Sequence, residues 1–129
     1  MSLRDAAVLI DAALEDNITA VREALEKGID INSRDFFGKT ALMHVLFYGH
    51  TETAKLLIEK DADVNVKDNN SWSVLMFASE KGHTETAKLL IEKGADVNAR
   101  DIVGGTALRH ASLKGHTETV SILKTSGAL

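Results

Sequence analysis

The peptide GHTETAKLLIEK begins at Gly49 and again, unchanged, at Gly82, and the shorter GHTET starts at Gly115. Both offsets are 33 residues, and ADVN at Ala62 and Ala95 keeps the same interval. A strict period of this length constrains the fold more than composition does. Each copy is one supersecondary unit that must bury its apolar face on its neighbours. One period earlier lies DNITAVREALEKGIDIN from Asp16, which keeps the apolar spacing and the Lys27-Gly28 ending but lacks the Gly-His opening. The 129 residues therefore divide into about four units within one expected domain. A divergent unit covers 1–34, full units cover 35–67 and 68–100, and a shorter one covers 101–129. The outer two are expected to cap the stack, the first through polar Arg4, Asp5, Asp11, Glu15 and Arg22, the last through Ser112, Ser121, Lys124 and Thr125.

Within the second unit, Thr40 is placed to cap a helix over 41–48, and Gly49 can end it in a left-handed conformation. A second helix is expected to follow. Thr51 is its candidate cap, Glu52 lies near its positive end, and Ala54, Leu57 and Ile58 form its apolar stripe. The DADVNVKDNN segment is dense in Asp and Asn, which favour turns by bonding nearby backbone. Helices this short are marginal alone in water, so stacking must stabilise them. The sequence predicts an all-α solenoid of helix-turn-helix units.

GKTALMHVLFYGHTETAKLLIEKDADVN and its two relatives resemble ankyrin repeats over essentially the whole chain. The resemblance implies hairpin-like loops between units and a concave face that contacts other proteins. Several positions depart from the family pattern. The Thr-Pro-Leu-His tetrapeptide stands here as TALM from Thr40, SVLM from Ser73 and TALR from Thr106, in a chain without proline. Proline chiefly pre-sets the first helical turn, so its absence should lower stability rather than change topology. Met43, Met76 and Arg109 replace the tetrapeptide His, and His44 and His110 fall one position later. Asp61 stands where Gly28 and Gly94 end their helices, and a left-handed conformation there would cost about 1 kcal/mol. Val45-Leu46 replaces the small pairs at Ala12, Ala78 and Ala111 and should force the stack slightly open.

Composition excludes several function classes. A net charge of -4 and a pI near 5.7 leave no basic stripe for a phosphate backbone, so nucleic acid is not expected as a partner. The start lacks a secretory apolar run and nothing approaches a membrane-spanning length, which reads as a cytoplasmic chain with no membrane partner. His50, His83 and His116 recur once per period, but stacked helices lie about 8 to 10 Å apart, too far for equivalent histidines to share a metal. They are expected to bond backbone at the turn between helices. DINSRD, DVNVKD and DVNARD lack the fifth-position oxygen ligand and sixth-position Gly of a calcium loop. No activated nucleophile or phosphate-cradling loop is present. Neither catalysis, a cofactor nor a metal is expected.

Five of the six aromatics fall on positions that ankyrin-like proteins use to contact partners; Phe77 does not. Phe36, Phe37 and Lys39 lie on the hairpin finger, and Phe47 and Tyr48 end the first helix of the same unit. Their counterparts include Trp72, Glu80 and Lys81 in the next unit and Ile102, Val103, Leu113 and Lys114 in the last. The resemblance implies that these residues form a patch for another protein, on a chain expected to be monomeric rather than homodimeric. Self-association or docking to a neighbouring domain through the same patch is the rival reading.

Overall fold

Hydroxyls start the first helix of three successive periods. In a computed structural model describing residues 3–129, the side-chain oxygens of Thr40, Ser73 and Thr106 accept from the amides of Met43, Met76 and Arg109, at 3.4, 3.3 and 3.2 Å. Buried Met43 and Met76 fill the space of the tetrapeptide histidine by packing, and the Met76 sulfur also accepts from the Ser73 amide at 3.5 Å. Arg109, in the same register, is exposed.

The chain divides into two compact units, one through Asp63 and one from Val64. The first holds α1 (Leu3–Leu14), α2 (Ile18–Glu26), α3 (Ala41–Tyr48) and α4 (Thr51–Glu59). The second holds α5 (Val74–Glu80), α6 (Thr84–Glu92), α7 (Ala107–Leu113) and α8 (Thr117–Thr125). The division falls inside the 35–67 period rather than at its edge. Asp63 donates its amide back to Asn32 Oδ1 at 2.8 Å. Asn65 instead reaches forward, accepting from the Asp96 amide at 2.8 Å and donating to the Gly94 carbonyl at 3.0 Å.

In the first unit α1 packs on α2 and α3, and α4 packs on α3. Leu9, Val21, Leu42, Met43 and Leu57 are fully buried. Val45 and Leu46 are buried too, and the neighbouring α1 buries the small Ala6, Ala12 and Ala13. In the second unit α5 packs on α6 and α7, and α8 packs on α6 and α7. Its buried set includes Val74, Leu75, Met76, Leu90 and Leu123.

Thr51 does not cap α4. It is the first helical residue, and His50 holds the cap position without a side-chain cap bond, as do His83 and His116 before α6 and α8. The Thr51 hydroxyl turns back to the Gly49 carbonyl at 3.4 Å, which removes it from the amides ahead. The His116 imidazole donates from Nε2 to the Glu80 carbonyl at 2.7 Å, so it ties its turn to the helix end one period earlier rather than closing its own turn.

Three turn positions per period require positive φ, and eight glycines and three other residues occupy them. Asp61, at φ 66°, stands in the position of Gly28, Gly94 and Gly127. Asp16, at φ 55°, occupies that of Gly49, Gly82 and Gly115, and its carboxylate gains the Thr53 hydroxyl as a donor. Ser71, at φ 60°, takes that of Gly38 and Gly104.

Candidate functional site

Each finger turn is built around one aspartate. In the first unit the Asp35 amide donates to the Lys39 carbonyl at 2.9 Å, closing the turn. Asp35 Oδ1 accepts from the amides of Phe37 and Lys39 at 2.9 and 3.0 Å, and Oδ2 accepts from His44 Nε2 at 2.7 Å. Burial pushes the Asp35 carboxyl up, but the bonds from His44 and from the Lys39 and Phe37 amides outweigh it and hold the group below the ordinary aspartate value. Asp101 repeats the arrangement in the second unit. Its Oδ1 accepts from Gly105 and Val103 at 2.8 and 3.0 Å, and His110 Nε2 lies 2.8 Å from Oδ2. Its carboxyl is likewise depressed, with burial opposed by Gly105, His110 and Val103. Asp68 binds the amides of Asn70 and Trp72, each at 2.9 Å, but Phe77 stands where a histidine would meet it.

These bonds fix the finger backbone and leave its tip side chains outside. Phe36 and Phe37 are 80% and 62% exposed, and their rings meet edge to face with centroids 5.8 Å apart. The Lys39 ammonium lies 5.7 Å from the Phe37 ring centre, within cation–π range. At the end of α3, Tyr48 is 60% and Phe47 43% exposed, in a second edge-to-face pair at 4.9 Å. Tyr48 also lies against the His50 ring at 6.4 Å. His44, Phe47 and Tyr48 follow i, i+3, i+4 spacing and so share one side of the helix. Because His44 bonds Asp35, that side faces the finger that carries Phe36 and Phe37. Phe47 and Tyr48 thus lie on the side of α3 that His44 ties to the finger.

The second unit treats its expected residues differently. Ile102, Val103 and Leu113 are exposed, as are Lys81 and Lys114, while Glu80 is half-buried. Trp72 is also half-buried, its ring 5.1 Å from Phe77 and 4.3 Å from His110, centre to centre. Its ring packs against both neighbours, which leaves only part of it at the surface. The reason is local: Phe77 replaces the finger-anchoring histidine and gives the indole a hydrophobic seat. Adjacent fingers in this unit are joined by the Ile102 amide donating to the Asn70 carbonyl at 3.1 Å.

The Asp35–His44 and Asp101–His110 pairs are features that sequence reasoning did not find. Their signal is legible: an Asp at the first finger position and a His nine residues later, twice. Among the described residues no group of three or more His, Asp or Glu converges to hold a metal ion, and no helix is long and apolar enough to cross a membrane. Two shallow surface hollows, one lined by Arg22, Leu25, Glu26 and Lys60 and one by residues including Gly82, Thr84, Gly115 and His116, involve none of the finger or ring residues.

Comparison with known proteins extends this picture. A family model for ankyrin repeats matches residues 9–101 in three copies. Over 47 residues, 36% of the chain, the sequence is 55% identical to the probable E3 ubiquitin-protein ligase XBOS33 of rice, Oryza sativa subsp. japonica. That stretch spans 9% of the rice protein.

Proposed function

The chain belongs to the ankyrin-repeat proteins, an all-α solenoid family, and from that premise we propose that it is a non-catalytic module that binds another protein through its finger tips and first-helix ends. In the first unit the binding residues are Phe36, Phe37, Phe47 and Tyr48 with Lys39. In the second they are Ile102, Val103 and Leu113, bordered by Glu80, Lys81 and Lys114. The reading rests on one observation above all: four of the six aromatic rings in the chain are exposed in a single finger and helix end.

Burying one such ring would contribute about 1.5 to 3 kcal/mol to folding, and exposure forgoes much of it. Association can recover that free energy. Aromatic anchors dominate interface hot spots because they give large contact area with few rotamers to freeze. The three bonds on Asp35 hold the finger before any partner arrives, which lowers the ordering cost of binding. The ubiquitin-ligase activity in the rice protein's name stays with that protein.

A Phe37→Ser, Tyr48→Ser double variant tests the reading. It is expected to keep its helical circular-dichroism spectrum and melting midpoint while losing partners captured from an extract of the native source. Retained capture by the folded variant would refute it. A concentration-dependent dimer lost in the same variant would assign the surface to self-association instead.

A further inference from the structure

The segment that carries the exposed rings differs in charge from the rest of the first unit. Residues 1–63 carry twelve carboxylates against seven Lys and Arg, yet 34–50, which holds all four rings, has Arg34 and Lys39 against Asp35 alone. Asp35 is committed internally: Oδ1 takes two amides and Oδ2 takes His44. Three donors of the finger and α3 thus occupy its two oxygens and offset its charge. Arg34 is exposed, and the Lys39 ammonium reaches over the Phe37 ring.

From this we propose that the ring surface of the first unit takes an acidic peptide segment that carries apolar side chains, presented by another protein. The inference rests on the binding role argued above and names the chemistry of the partner. Apolar side chains of the segment cover Phe36, Phe37, Phe47 and Tyr48, and its carboxylates meet Arg34 and Lys39. The other residues of 1–63 carry eleven carboxylates against five Lys and Arg, so the ring-bearing segment is the part of this unit whose charge suits such a peptide.

The test is selection from a random-peptide display library on the folded chain, with the Phe37→Ser, Tyr48→Ser variant as counter-target. Recovered peptides are expected to combine net negative charge with apolar residues and to weaken as salt rises. Arg34→Glu with Lys39→Glu, checked for an unchanged melting midpoint, should weaken them by about tenfold or more. Neutral or basic peptides that still require the two rings would overturn the acidic assignment and leave the binding role standing. Peptides recovered equally on both targets would overturn both. A dimer dissolved by Arg34→Glu with Lys39→Glu would give the face to a second copy of the chain and overturn the proposal.

Discussion

Replacing Asp61 with glycine should stabilise the protein. Four helices end in the same way. After α4 the Asp61 amide donates to the Ile58 carbonyl at 3.1 Å and the Ala62 amide to Leu57 at 3.0 Å. Gly28 and Ile29, Gly94 and Ala95, and Gly127 and Ala128 make the equivalent pairs after α2, α6 and α8. The residue between the two bonds must be left-handed, and φ is 91°, 95° and 99° at the glycines against 66° at Asp61. A side chain there costs about 1 to 2 kcal/mol, with Asp near the lower end. Its carboxylate at the negative end of α4 adds about 0.3 kcal/mol or more. Glycine returns about 0.5 kcal/mol through its freer unfolded chain. The net gain is about 1 kcal/mol, or about 3 to 5 °C in melting midpoint. Thermal and urea unfolding followed by circular dichroism measure it. Asp61→Asn should recover only the charge contribution, and Asp61→Ala should gain nothing, because it removes the charge but also the tolerance of Asp and Asn for the left-handed region. An Asp61→Gly midpoint equal to or below that of the parent chain would refute the reasoning.

Other expected outcomes follow from single contacts. The Ser79 hydroxyl is buried without a hydrogen-bond partner, and Ala13 holds the same register position in the first period. Ser79→Ala should stabilise by about 1 kcal/mol, and a lower urea midpoint would show that the hydroxyl is satisfied. A Cβ on Gly82 would lie 2.7 Å from His116 Nδ1, on an imidazole pinned to the Glu80 carbonyl, whereas one on Gly115 would meet open space at a similar φ. Gly82→Ala should therefore lower the melting midpoint more than Gly115→Ala; equal losses would remove the clash from the account. The folded Asp101 carboxyl titrates below its unfolded value, so its stabilising contribution is complete above about pH 4 and is lost as pH falls through the lower folded value. Asp101→Asn should flatten that part of the acid-unfolding curve, and an unchanged slope would contradict it.

The period made the helix pairs legible, because identical apolar spacing at Leu57 and Leu90 buries both residues fully, as in neighbouring periods of any stacked array. The left-handed Asp61 was legible for the same reason, since glycines occupy the matching positions. What failed to show was the use of individual polar groups. Thr51 carries the residue type of a cap, but the preceding left-handed Gly49 turns its hydroxyl backward. Trp72 shares the register of exposed residues, yet its indole finds Phe77 and His110, one of them a full period away. His44 and His110 look like displaced tetrapeptide histidines and prove to be anchors for finger aspartates. Register gives a side chain's position along the chain. Its contacts depend on which neighbour in the next period has room for it.

Site-specific photo-crosslinking measures the central claim most directly. A photoreactive amino acid placed at Phe37 or Tyr48, and as controls at the exposed Glu59 and Glu92 on α4 and α6, is irradiated in an extract of the native source. Covalent capture of a partner from the two ring positions and not from the controls is the predicted result. Capture from the controls with none at Phe37 or Tyr48 would contradict the account.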